Sequence, residues 1–590
     1  MSLGRIRNFR CLVFVVLIVA GVFGMPASTV SGAGEAVPHK VMAFYYPWYG
    51  VADGPGGAGR TVHWGRIDEE NKDLSQSTHY PALGAYDSHD PQVIEQHCKW
   101  AREAGIDTFI VSWWGHGDYT DRAMRPILDI CGKNGMTACI YYETIPGAED
   151  SQAAARDIVR VLQKYGGHSA YLRAGGKPVV FVYGRALQEM ALLGWLEAIK
   201  TIEAQYDAGV CAIGDKFGYG AARVFGGVHT YNPAGMLRGK SAPAVRQWCT
   251  ETYRSWVDLA RGAGKISTIT VIPGYDDTKI REPGLAVERY GTQLYRVQWE
   301  RAIEAGPDWV VITSFNEWHE GSEIEPSHED GRVYMELTGE YAGRFKAGRR
   351  VSRTPMVGGG VTEGEKAALA EKYKGFRIAA LADVDSMAFW WLHELGVAVD
   401  VLTWEQVARG ELVRGRYEMA LYCGGEHYSR TVSREGDVDD ALVRYLGGGG
   451  TLVAAPSLPW PFYYDQDETI VNNSARFGLT MRMGFENPPE GEELRFVQID
   501  RRLKHVPAEF EFPAGGDLRW RAFVNGGQDV YVPLVQLRDK GGESLGDAVA
   551  YAELSGGGRV VYVWFTMLNG PYAEGLLYDV FDMLAARLGN

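Results

Sequence analysis

Between Val41 and about Arg350, eight short β-rich runs alternate with helical stretches, and no other feature of the 590-residue chain restricts its fold as strongly. The runs are Val41–Tyr46, Asp107–Trp113, Met136–Glu143, Pro178–Tyr183, Val210–Gly214, Phe225–Tyr231, Thr268–Pro273 and Trp309–Phe315. Asp90–Ala104, with Pro91 following an Asp cap, is one of the helical stretches between them; Asp121–Asn134 and Ala153–Tyr165 are others. This alternation is the signature of βα units and a parallel sheet. Eight units of this size match a (β/α)8 TIM barrel, whereas an open doubly wound sheet usually has fewer strands. The expected class is α/β: a TIM barrel followed by a second α/β domain with a mostly parallel sheet.

The rest of the chain divides around that barrel, which is expected over residues 38–350. Arg5, Arg7 and Arg10 precede an apolar run from Cys11 to Met25, and small residues follow. That order describes a signal peptide over residues 1–33, and the run is short for a bilayer span. The competing reading is an uncleaved anchor. The mature protein is expected to be secreted or periplasmic, with no integral membrane span. The Gly-rich stretch around Val357–Val361 marks a linker over residues 351–362. Residues 363–590 form the accessory domain. Its strands are expected at Arg377–Leu381, Val397–Thr403, Glu418–Cys423, Thr451–Ala455 and Arg559–Phe565, and its helices at Met387–Leu395, Asp437–Leu446 and Tyr572–Leu588. Leu494–Pro513 has shorter β-like runs with no assigned place.

Composition excludes some functions. Sixty Lys and Arg against 74 Asp and Glu give a net charge of −14, the wrong sign for a nucleic-acid-binding protein. No cysteines form a CxxC pair, and their sparse spacing reads as buried small hydrophobes with few or no essential disulfides. The 17 Trp and 32 Tyr are either core or flat faces for a stacking ligand such as a sugar.

Placement bears on that choice. In a TIM barrel the residues just beyond each strand share the C-terminal rim, where the active site lies. Here those residues are aromatic or acidic: Tyr46, Trp113 and Trp114, Glu143, Tyr183, Asp215, His229 to Tyr231, Tyr275 to Asp277, and Asn316 to Glu320. Glu317 and Glu320 are three residues apart, so in a helical turn both face one way. Glycosidic cleavage needs one carboxyl that donates a proton and another that ends ionised. Neighbouring like charges separate two such acidities. The competing reading of a Glu-x-x-Glu pair is a solvated acidic loop.

The segment Ile312–Gly321 resembles the hallmark of glycoside hydrolase family 99, the endo-α-1,2-mannosidases, and so does Gly274–Arg281. Phe44–Gly50, His63-Trp64 and Ser112–Trp114 follow the same order, so the likeness spans roughly Val41 to Pro326. The resemblance implies a (β/α)8 barrel that cleaves with retention through a 1,2-anhydro sugar. It implies Glu317 as the base on the sugar 2-OH and Glu320 as the general acid/base at the glycosidic oxygen. Substrate contacts are expected from Tyr46, His63, Trp64, Trp113, Trp114, Glu143, His229, Tyr231, Tyr275, Asp276 and Asn316, with a polysaccharide or oligosaccharide as partner. Gly226–Asn232 and Thr144-Ile145-Pro146 depart from the family pattern at substrate-contact positions, which leaves the sugar more open than the chemistry. The second half resembles the flavodoxin-like or glutamine-amidotransferase-like domains appended to some glycosidases. Cys423-Gly424-Gly425 invites the second comparison without a matching Cys-His-Glu set.

Other motifs are weaker. His319-Glu320-Gly321-Ser322-Glu323 lacks the second His of a zinc-protease helix, and Asp276-Asp277 reads as a hydrogen-bonded turn rather than a Ca²⁺ site. Gly447–Gly450 reads as a helix-ending turn. No cofactor and no metal are expected. Two alternatives stay open: a carbohydrate-binding or cell-envelope protein with a degenerate barrel, and a glycosidase for a different sugar. The oligomeric state stays open too.

Overall fold

The computed structural model describes residues 37–588 apart from 148–149, 349–359, 382–383, 385, 424–436, 457–461, 467–468, 483–492, 513–517, 520, 524–529, 569 and 571. The expected signal peptide (1–33) and residues 351–359 of the expected linker lie outside the described residues.

Eight parallel strands close into a barrel. They are β1 (Lys40–Tyr45), β2 (Thr108–Trp113), β3 (Thr137–Tyr142), β4 (Lys177–Val182), β5 (Cys211–Asp215), β6 (Gly227–His229), β7 (Ile266–Val271) and β8 (Trp309–Ile312). Each pairs with its sequence neighbours, and β8 returns to β1 with Lys40 opposite Trp309. All eight expected runs are present, with ends moved by at most three residues. The helices between them start where the chain offers caps. Asp90 accepts the Gln92 N–H ahead of Pro91–Glu103, and Asp118 accepts that of Thr120 ahead of Tyr119–Lys133.

Rings fill the barrel interior. Phe44 packs 4.7 Å from Tyr141, and Phe181 lies 5.1 Å from His229 and 6.3 Å from Trp309. Much of the aromatic surplus is therefore core. Trp64, Trp113, Trp195, Trp299, Trp309, Trp318, Trp390, Trp391 and Trp564 are all fully buried.

The second sheet is mixed. Val399–Leu402, Ile378–Leu381, Met419–Tyr422, Thr451–Ala454 and Arg559–Val563 lie side by side and parallel, an order of 2-1-3-4-5 found in doubly wound folds. Past the last of these the sheet continues antiparallel through Ser544–Glu553, Val530–Arg538, Arg495–Gln498 and Glu509–Glu511. The last two strands account for the β-like runs within 494–513. The six cysteines from Cys98 onward are all buried, and Cys98 and Cys131 stand 3.6 Å apart, sulfur to sulfur. Among the described residues no helix is long and apolar enough to cross a membrane.

The two sheets belong to one compact unit, and a barrel rim loop touches the second half directly. In the loop after β5, the Tyr219 hydroxyl and Arg223 Nε donate to Glu394 at 2.9 and 2.8 Å. Gly220 lies flat against an indole: a Cβ there falls 2.1 Å from Nε1 of Trp390. Gly220→Ala is therefore expected to destabilise the chain by ~1–3 kcal/mol through overpacking. Denaturant unfolding checks this, and an unchanged midpoint contradicts the contact.

Candidate active site

The segment after β8 folds back on itself and carries both candidate carboxyls. The Ile324 N–H donates to the Ser314 carbonyl (3.0 Å) and that of Glu325 to the Phe315 carbonyl (2.8 Å), closing the fold. Inside it, the Glu317 N–H donates to Ser314 Oγ (2.7 Å), and Trp318–Glu320 form one 3₁₀ turn. Gly321 ends the turn at φ 53°, with a Cβ position 3.2 Å from Asp276 backbone atoms, so only glycine fits.

Glu317 and Glu320 have different surroundings. Glu317 is 2% exposed, and neither carboxyl oxygen has a hydrogen-bond partner among the described residues. His319 lies beside it, with Nδ1 3.8 Å away, and the His319 backbone favours the charged form. Desolvation, then the charge of Glu320, pushes the Glu317 pKa well above the usual carboxyl range. Glu320 keeps 14% of its side chain exposed. It accepts from the Tyr231 hydroxyl (2.9 Å) and from both Arg281 amino groups (3.2 and 3.3 Å). Burial raises its pKa too, but these donors oppose the rise.

Around the pair stands an aromatic wall. Tyr46 lies 4.7 Å from Trp48 and 6.4 Å from Tyr231, and Trp48 stacks on His63 at 4.8 Å. Trp114 stands 6.3 Å from Trp48. Its indole donates to Ser112 Oγ (3.1 Å), and Ser112 donates to Glu143 (2.7 Å). Desolvation dominates at Glu143 and pushes it up to about 8, so near neutrality it holds a proton. Tyr275 donates to Asp277, and Arg281 bridges Asp277 to Glu320.

Five expected contacts are engaged elsewhere. Trp64 and Trp113 have no exposed surface: Trp64 stacks on Tyr49 and donates to the Tyr86 carbonyl, while Trp113 stacks on Tyr142 and donates to Asp121. His229 is sealed among Phe44, Tyr141 and Phe181, a layer below the rim, and burial lowers its basicity. Asn316 is also sealed; it accepts the Tyr46 N–H (2.7 Å) and donates to the Tyr46 carbonyl (3.2 Å), so it positions Tyr46. Asp276 folds onto the N–H and hydroxyl of Thr278, the hydrogen-bonded turn expected for it.

The two remaining acids of the cluster each have a buried base. Glu323 takes Arg289 (2.7 Å) and His79 (2.6 Å). Glu325 takes His97 (3.1 Å), the Tyr86 hydroxyl (2.7 Å) and the Trp318 indole (3.1 Å). Arg289 also holds the carbonyls of Gly321 (3.0 Å) and Glu323 (3.2 Å), the chain just beyond Glu320. Arg289→Ala breaks a buried pair and is expected to cost ~3–5 kcal/mol. Denaturant unfolding reads it, and a loss under about 1 kcal/mol shows the pair to be dispensable.

Residues 36–337, just over half the chain, match the profile of Glycosyl hydrolase family 99. The chain belongs to this family. As a family 99 member it is a glycoside hydrolase, and the carboxyl pair lies inside the matched span. It is 29% identical over 341 residues to the glycoprotein endo-alpha-1,2-mannosidase of Rattus norvegicus, covering 50% of this chain and 70% of that protein. It is 26% identical over 339 residues to the Homo sapiens glycoprotein endo-alpha-1,2-mannosidase-like protein, with 50% and 70% covered. The GH99 endo-alpha-mannosidase from Bacteroides thetaiotaomicron superposes with a TM-score of 0.45 at 26% identity, covering 52% of this chain and 98% of that one.

Proposed function

We propose that this family 99 chain is an endo-acting, retaining hydrolase of α-mannose-like glycans, working through a 1,2-anhydro sugar. The observation that carries the reading is the contrast within one turn: a buried Glu317 with no hydrogen-bond partner among the described residues, beside a Glu320 held by Tyr231 and Arg281. Glu317 accepts the proton of the sugar 2-OH, and the freed oxygen attacks C1. As the glycosidic bond breaks, Glu320 gives its proton to the leaving oxygen. Water then attacks C1 and loses its proton to Glu320, while O2 leaves C1 and recovers its proton from Glu317. Two inversions give net retention, and no protein nucleophile is used. The 2-OH supplies the hydrogen bond that Glu317 lacks, which favours its ionised form and moves the pair's proton to Glu320.

The relatives named as endo-alpha-1,2-mannosidases support mannose as the sugar. A panel of α-mannans and other polysaccharides tests the reading. Shortening of α-mannan with retained anomeric configuration is expected. An inverted product overturns the mechanism, and cleavage confined to other glycans overturns the sugar. Export by residues 1–33 belongs to the same proposal; N-terminal sequencing of the mature protein checks it, and an intact Met1 refutes it.

A further inference from the structure

Arg185 carries a charge that no ion pair among the described residues uses. It follows Tyr183-Gly184 at the end of β4 and is exposed. Its guanidinium carbon stands 4.9 Å from the centroid of the Trp114 ring and 5.9 Å from that of Tyr183. Ring faces hold a guanidinium in place without occupying any of its five N–H donors. Among the described residues no hydrogen bond or ion pair reaches it. The two other arginines near the carboxyl pair are committed, Arg281 to Asp277 and Glu320, and Arg289 to Glu323 and Asp330.

The charge of Arg185 is felt at Glu143, the acid that Ser112 links to Trp114. Because burial keeps Glu143 protonated up to about pH 8, that acid does not cancel the neighbouring cation. Arg185 thus keeps its charge beside a neutral Glu143, and the Asp215 carboxyl, which accepts the Gly184 N–H at 3.0 Å, makes no ion pair with it among the described residues. Resting on the glycosidase reading, we propose that Arg185 binds an oxyanion substituent (carboxylate, sulfate or phosphate) on the sugar next to the reacting one, making acidic α-glycans the preferred substrate class. The planar fork of Arg suits such a group in a way a lysine does not. Trp114, fixed by its bond to Ser112, gives that same sugar a face to stack on.

The test uses the full chain carrying Glu320→Gln, titrated by calorimetry at low salt. The probes are neutral α-mannan and neutral α-glucan oligosaccharides, and matched oligosaccharides bearing a uronic acid, a sulfate or a phosphate. At least one acidic probe is expected to bind about tenfold or more tighter than its neutral match, with the preference shrinking as salt rises. Adding Arg185→Ala is expected to abolish the preference, and Arg185→Lys to retain part of it. The three acidic arms separate carboxylate from sulfate and phosphate. Equal binding within every pair, a preference unchanged by Arg185→Ala, or binding of no acidic probe overturns the proposal. Hydrolysis of neutral α-mannan by the unaltered enzyme is scored separately, so failure here and failure of the mannosidase reading are distinguishable.

Discussion

Glu320→Gln is expected to lower kcat on a natural glycan by about 10²–10⁴-fold while sparing the first step on an aryl glycoside with a good leaving group. A natural leaving sugar departs as an alkoxide unless it is protonated, so the lost proton falls on bond cleavage. A nitrophenolate needs no such help. The second step still suffers, because the attacking water has lost its base, and azide, which has no proton to lose, is expected to restore turnover. Glu317→Gln behaves differently. On the proposed mechanism it removes the base that frees the sugar O2, so both classes of substrate are expected to slow and azide to restore nothing. The pH profile separates the variants further. The unaltered pair requires one shared proton, which gives a bell. Since burial displaces both carboxyls upward, both limbs lie above the ordinary carboxyl range. On the aryl glycoside, the Glu320 variant loses the alkaline limb, the one that reports the acid's proton. Equal losses on both substrates in both variants would refute the division of roles, and unfolding midpoints control for general damage.

The geometry of the site was readable in the sequence where it is local, and unreadable where it depends on parity or on distant partners. The Glu317 to Glu320 spacing belongs to one turn, so it survives folding unchanged. The aromatic rim was only half readable, because successive strand residues point to opposite faces. Ser112 faces the pocket and meets Glu143, Trp113 turns outward onto Tyr142 and Asp121, and Trp114 returns. Tyr45 likewise turns outward to His97 while Tyr46 turns in toward Tyr231. Two adjacent tryptophans therefore provide one pocket wall, and parity along β2 predicts which. Partners were harder to read. Glu323 and Glu325 look like Glu317 and Glu320 in sequence. They differ because Arg289, His79 and His97, brought in from other parts of the chain, bond to them. Arg281 sits within a recognised motif, but only the fold shows it gripping Glu320. In the second half, the parallel strands announced themselves as apolar runs. In the antiparallel extension, short and partly exposed strands such as Glu509–Glu511 showed only as β-like runs without a place.

Glu143→Gln is expected to be worth little to stability in acid and to become strongly stabilising as the pH rises. In the folded chain this carboxyl is 4% exposed, and desolvation lifts it to about 8, against the ordinary value of 4.5 to which unfolding returns it. Ser112 and Arg185 pull it down, while Glu320 and Asp215 add to the rise. Below about pH 4.5 both states hold the proton and the group is neutral to folding. Between about 4.5 and 8 the unfolded chain releases the proton and the folded chain keeps it, so stability falls steadily with pH. Above about pH 8 the penalty is complete, roughly 3–5 kcal/mol for a shift of this size. Glutamine has no proton to lose and keeps a group for Ser112 to donate to, so it escapes the penalty. Unfolding midpoints of the two proteins should nearly coincide at pH 4 and separate progressively to pH 9. A gap that is constant with pH, or that widens toward acid, would mean that Glu143 is ionised in the folded protein. The same proton matters to the site: a neutral Glu143 presents a donor to a sugar hydroxyl and leaves the Arg185 charge uncancelled, so the alkaline loss of stability and any loss of acidic-glycan preference should follow the titration of this one carboxyl.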